Sequence, residues 1–273
     1  MGALLALASA VCYGIVDFAG GLLSRHVHHT AVTFFGQVGG LLLACAAALL
    51  MPAAVDSTDL LWGALSGVGS GVAMRFLNRG LSTGEMSVVV PVSAVTGVAL
   101  AVLCGVLVLG DRPGALAWLG IAVTVPALWF VSGGAAGAGK GAADGLLASA
   151  GVAVQYLALG QAGPGSGLWP VAAGRVAAVL VLLPDAARHA RRLKLPPVRC
   201  AQALLIGAGA ALGLVLYLLA AQRQLLAVAV VLASLYPALP VILGVALLHE
   251  RISRSQAMGL LGAGVATVLL TLG

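Results

Sequence analysis

Asp17 lies well inside an apolar run that extends from about residue 3 to residue 23, and no other acidic residue sits so deep in such a run. Tyr13 falls one helical turn earlier on the same face, with Gly14, Gly20 and Gly21 nearby. A carboxyl group there could take and release a proton or offset the charge of an amine. An acidic side chain at the centre of an apolar helix costs about 2.5–3.5 kcal/mol or more unless a cavity or a partner receives it. The bland alternative is an ion pair that only fixes packing. Arg175, in the apolar run 167–185, is the basic candidate. It could bind a carboxylate, pair with Asp17, or snorkel toward a surface. Gln37, Tyr156, Tyr217, Ser234 and Tyr236 put further polar tips into apolar runs. Each could line a solute path or bond a neighbouring helix. Tyr236 precedes Pro237, and a proline inside a helix frees carbonyls that can face a cavity. Arg75 and Arg79, one turn apart at the end of their run, read as snorkelling side chains.

Other chemistry finds little support. His26, His28 and His29 lack the i, i+4 spacing or the carboxylate companions of a metal site. The four cysteines, Cys12, Cys45, Cys104 and Cys200, have no CxxC spacing and read as small buried hydrophobes. A Gly-Lys-Ser/Thr phosphate loop is absent, as are HExxH and GxSxG. We therefore assign no catalytic residue, no metal and no cofactor.

The elements that must hold these residues follow from composition. The 273 residues are 61% hydrophobic and 8% charged, against roughly 45–50% and 25% in soluble domains. Lipid must be the solvent for most of such a surface. In lipid every backbone polar group needs an internal partner, so the runs are helices or closed strands. Segments such as 201–221 are apolar on every side, which selects helices. Spans are expected near 3–23, 31–51, 60–80, 86–109, 114–132, 143–161, 167–185, 200–220, 225–248 and 256–272. The first carries no Lys or Arg before its apolar stretch and reads as a span, not a cleaved signal peptide. Trp62, Trp118 and Trp169 fall near span ends as interfacial anchors. The net charge of +6 is concentrated between Arg188 and Arg199 without interleaved aromatics. That pattern suits anionic headgroups and a cytoplasmic loop, not a nucleic-acid partner.

The Gly/Ala stretch 133–141 divides the runs into five and five. Glu85 to Arg112 aligns without a gap on Gln224 to Arg251, ending in Gly-Asp-Arg and His-Glu-Arg at an offset of 139. Nearby offsets match Ala8-Ser9-Ala10 with Ala148-Ser149-Ala150 and Gly36-Gln37 with Gly174-Arg175. A repeat with an odd number of spans enters the membrane from opposite sides in its two copies. The expected fold is all-α, with ten transmembrane helices forming two inverted five-helix repeats, 1–136 and 137–273. The loops after odd-numbered spans, with their helix ends, carry ten Lys and Arg residues, against Arg112 and Arg223 on the other side. This predicts that those loops are cytoplasmic and that both termini lie outside.

These residues resemble the drug/metabolite transporter superfamily, specifically its ten-span EamA-type members. The similarity rests on Pro237, His249-Glu250-Arg251 and Gly259 in the second half, and on Gly110-Asp111-Arg112 and Gly120 in the first. Pro91 lies seven residues upstream of the position matching Pro237, and Arg175 stands where the family often has Arg. The resemblance implies a multi-pass secondary transporter of the inner membrane, working by alternating access. Small polar or amphipathic metabolites would be its exported substrates, and protons or solutes its coupling partners. A lipid flippase, a membrane enzyme or an assembly subunit are the alternatives.

Overall fold

A computed structural model describes residues 2–109, 114–131, 141–221 and 235–272. Ten α-helices occur among them: α1 Gly2–His26, α2 His29–Leu49, α3 Ser57–Thr83, α4 Met86–Cys104, α5 Ala115–Val131, α6 Ala142–Gly160, α7 Trp169–Arg188, α8 Pro197–Ala221, α9 Ala238–Leu248 and α10 Arg254–Leu272. One turn of π-helix, Gly105–Leu109, extends α4. No strand occurs among the described residues. Six helices, α1, α2, α3, α6, α7 and α8, are long and apolar enough to cross a membrane, and α4, α5 and α9 contain shorter apolar segments. The expected ninth span, 225–248, falls partly outside the described residues, as does most of the 133–141 join.

Local signals set the helix ends. Asp56 accepts from Thr58 N at 2.7 Å and caps α3, and the His28 imidazole accepts from Thr30 N at 3.3 Å and caps α2. Large apolar side chains point outward along whole helices. Leu4, Leu7, Val11 and Ile15 form such a stripe on α1, and Met258, Leu261 and Val265 form one on α10. In water these stripes would be costly, whereas in lipid they are the expected surface.

Small residues let the helices cross closely. Gly63, Gly67 and Gly71 of α3 lie against Pro170, Gly174 and Ala178 of α7. On α2, Gly36 faces Gly207 of α8, and Gly39 faces Leu204. A Cβ at Gly67 would overlap the Gly174 carbonyl, and one at Gly207 would overlap that of Gly36. The packing pairs include α3 with α6 and α7, α8 with α1 and α2, α4 with α6, α2 with α7, α1 with α9, and α5 with α10.

Side-chain bonds close both ends. At one end Asp59 accepts from Gly163 N at 2.8 Å and Ser166 Oγ at 2.6 Å, tying the α2–α3 and α6–α7 loops together. The opposite end gathers the loops after α1, α3, α7 and α9, where Arg25 meets Gly84, Glu250 and a basic cleft.

Candidate functional site

Helix α1 presents Tyr13 and Asp17 one turn apart on its inner side. Gly213 of α8 makes room for the Tyr13 ring, since a Cβ there would come within 3.1 Å of it. Ser9 Oγ donates to the Gly213 carbonyl at 2.7 Å and fixes the crossing of α1 and α8. The Tyr13 ring also packs on Tyr236, with centroids 5.9 Å apart and planes tilted by 54°. Asp17 is half-buried and makes no hydrogen bond or ion pair with any described residue. It interacts electrostatically with Tyr13, Tyr156 and Tyr236, and Tyr156 does so with Tyr217. Tyr156 keeps 48% of its surface exposed, so the cluster is not sealed off on that side.

Arg175 of α7 is buried and donates from Nη1 to Gln37 Oε1 of α2 at 2.8 Å. It lines a crevice of about 20 Å³ with Ser66, Ser70, Gln155 and Leu214. That volume admits a water molecule but no metabolite. Gly40 leaves space for the guanidinium, since a Cβ there would stand 3.4 Å from Nε. Arg175 and Asp17 form no ion pair with each other, so the pairing considered from sequence does not occur. Tyr13 interacts electrostatically with both. The structure thus brings Tyr13, Asp17, Tyr156 and Tyr236 together, with Tyr217 beside Tyr156. It sets Gln37 and Arg175 alongside as a separate pair. Ser234 lies outside the described residues. Pro237 caps the start of α9 among the described residues, not the interior of a helix.

Several charged residues have partners that sequence reading missed. Arg75 was expected to snorkel, but it pairs with Asp185 at 3.0 Å. Asp185 is buried because α7 runs past the expected span end to Arg188, and it also accepts from Thr30 Oγ1 at 3.1 Å. Arg79 donates from Nε to Asp144 at 2.8 Å and stacks over Phe76, 4.9 Å from the ring centroid. Ion pairing wins at both arginines because an acidic side chain near the end of a neighbouring helix lies within reach. Glu250 accepts from Met86 N at 2.9 Å and Ser87 N at 3.0 Å, capping α4, and from Arg25 Nη2 at 3.1 Å. His249, in the left-handed region at φ 56°, reverses the chain so that this carboxylate reaches back. The acidic-basic punctuation ending both halves was the available signal. No group of three His, Cys, Asp or Glu side chains among the described residues could hold a metal ion.

A helical bundle with apolar stripes outside, small-residue crossings and a carboxyl group inside that has no ion-pair partner among the described residues defines the class, a multi-pass integral membrane protein. The model of the EamA-like transporter family matches residues 1–133 and again 141–272. The chain belongs to that family, and its relatives are transporters. A search of curated proteins gives no match. Among solved structures, 15 chains match. One of them, titled only "Crystal structure of protein", aligns over 99% of this chain and 96% of its own length, at 17% identity and a TM-score of 0.60. At that identity the likeness shows the fold.

Proposed function

We propose that the chain is a secondary active transporter that exports small amphipathic metabolites bearing an amine, by alternating access between two inverted halves. The observation that carries this reading is Asp17, a carboxyl group inside the bundle, half-buried beside three tyrosines and without an ion-pair partner among the described residues. A group so placed can hold a proton or an ammonium but not both, and that competition is an exchange mechanism. Aromatic rings beside it add cation–π attraction for the amine and apolar contact for the remainder. Arg175, bonded to Gln37 and not to Asp17, supports a second contact, for a substrate carboxylate, in the state where alternation of the halves opens the narrow crevice beside it. A neutralised Asp17–Arg175 pair would have favoured a lipid-like solute.

Ten spans in two repeats, 1–136 and 137–273, are supported by the packing pairs. Exchanging α1–α5 with α6–α10 turns α3·α6, α3·α7 and α4·α6 into α8·α1, α8·α2 and α9·α1, all of which occur. Gly67 on Gly174 becomes Gly207 on Gly36 under the same exchange. Two such halves can trade conformations, which is the physical basis of alternating access. The basic end, carrying Arg25, Arg191, Arg192 and Lys194, is read as cytoplasmic in the inner membrane, with both termini outside. Transport by reconstituted wild-type protein and Asp17→Asn tests the reading.

A further inference from the structure

At the end where the loops after α1 and α7 meet, a cleft of about 440 Å³ is lined by Arg25, His26, His28, Arg191, Arg192 and Lys194, with Val27, Leu195 and Pro196 as its apolar part. No acidic side chain among the described residues lines it. Two carboxylates of this end have partners already, and one of them, Glu250, is paired with Arg25 of the cleft itself. Asp185 is held by Arg75 and Thr30, and Glu250 by Arg25 and the start of α4. The side chains of Arg191, Arg192 and Lys194 make no hydrogen bond or ion pair with any described residue. Arg25 is positioned through Nε and Nη2, which donate to the Leu81 and Gly84 carbonyls and to Glu250 at 3.0–3.2 Å, leaving Nη1 free of bonds to described residues. His26 is oriented by the contact of Nδ1 with the Leu22 carbonyl at 2.8 Å, so Nε2 is its remaining polar atom. The two walls are also joined by the His28 and His189 rings, stacked with centroids 5.1 Å apart. Arg191, Arg192 and Lys194, without acidic partners among the described residues, together with the positioned Arg25 Nη1 and His26 Nε2, surround a volume of this size as a receptor for a compact anion.

We infer that this cleft binds a phosphate group, supplied by an anionic lipid headgroup or by free phosphate, and that the ligand bridges the α1–α2 turn and the α7–α8 loop. Guanidinium forks match phosphate oxygens geometrically, and three of the four permanent cations, Arg191, Arg192 and Lys194, have no carboxylate partner among the described residues to offset them. The apolar side chains of Val27, Leu195 and Pro196 suit the glycerol end of a lipid headgroup. This inference is independent of the transport reading, since the cleft is separate from Asp17.

The test uses the full-length protein in a neutral detergent, with thermal stability and native mass spectrometry as readouts. Phosphatidylglycerol, phosphatidylcholine and inorganic phosphate are added separately to wild type, to Arg191→Ala/Arg192→Ala/Lys194→Ala, and to Arg251→Ala/Arg254→Ala. Phosphatidylglycerol should stabilise wild type and remain bound, while phosphatidylcholine should not. The exposed triple variant should bind roughly a hundredfold more weakly, at about fivefold for each charge removed, and the Arg251/Arg254 variant should match wild type. Stabilisation by inorganic phosphate as well, lost in the triple variant, would assign a soluble source to the same site. No stabilisation by either ligand would overturn the inference. Equal losses in both variants would do so too, because they would mean diffuse attraction to a basic end.

Discussion

Arg175 of α7 bonds Gln37 of α2 at 2.8 Å across a separation of 138 residues, close to the offset at which the two halves of the sequence align. On the proposed reading of two inverted halves, residues that meet their own counterparts lie near the axis relating them, where a midplane site would belong. Arg175→Gln should keep an amide contact to Gln37 and therefore the fold, but lose the charge. For an amino-acid ligand the affinity should fall by roughly 10- to 100-fold, the range for one hydrogen bond to a charged group. For the same ligand with its carboxylate amidated the affinity should be unchanged. Calorimetry on both ligands checks this, and equal losses would remove the carboxylate role.

Glu250 should be a stability residue that ties the last loop to the first half. Its carboxylate is 7% exposed and accepts from Arg25 and from two backbone N–H groups of α4. Glu250→Ala leaves those donors unmet and should cost about 2–4 kcal/mol. Glu85→Ala, at an exposed side chain one residue before the same helix, should change stability by less than about 0.5 kcal/mol. Denaturation in mixed micelles distinguishes the two.

Close helix crossing at α3–α7 predicts a sharp contrast between glycines. Gly67→Ala puts a methyl group into the Gly174 carbonyl, whereas Gly264→Ala meets nothing within 4 Å. The first should destabilise by about 1–3 kcal/mol or more. The second should be neutral or stabilising by up to about 1 kcal/mol, because alanine is the better helix former. Apparent Tm values for the pair check the crossing directly.

The helices were legible because lipid demands long apolar runs, and that demand leaves a plain mark on sequence. Asp17 and Tyr13 were legible for the same reason, as polar residues where polarity is costly. Of the aligned pairs Gly36-Gln37 and Gly174-Arg175, the polar side chains do meet, whereas Gly36 packs on Gly207 and Gly174 on Gly67. Partners near helix ends were not legible. Arg75 with Asp185 and Arg25 with Glu250 depend on helix length and rotation to within a residue, and hydrophobicity does not encode these. Asp185 stands at the end of its apolar run, and hydrophobicity does not show that α7 continues for three residues beyond it.

The histidine stack predicts a pH response of stability. Burial, with help from His189 and Arg192, holds the His28 imidazole below its ordinary 6.5, while Asp185 pulls the other way. His29 stacks on its other side at 4.6 Å. Below about pH 6.5 the unfolded chain takes a proton that the folded His28 resists, so stability should fall from pH 7.5 to 5.5. His28→Asn keeps a capping acceptor for Thr30 and removes the titration. Its loss of Tm over that range should be smaller than that of wild type, and an equal loss would count against the assignment.

The most direct measurement of the central claim is transport in proteoliposomes carrying a pH gradient, comparing wild type with Asp17→Asn at equal insertion. Asparagine keeps the size and hydrogen-bonding capacity of aspartate and removes its titrating charge. The wild-type protein should move amine-bearing metabolites with a counterflow of protons, visible as a change in internal pH on addition of substrate. Asp17→Asn should insert and fold, yet lose gradient-driven transport and the pH dependence of amine binding. Unchanged transport with unchanged pH dependence in well-folded Asp17→Asn would contradict the account and leave the residue a packing role.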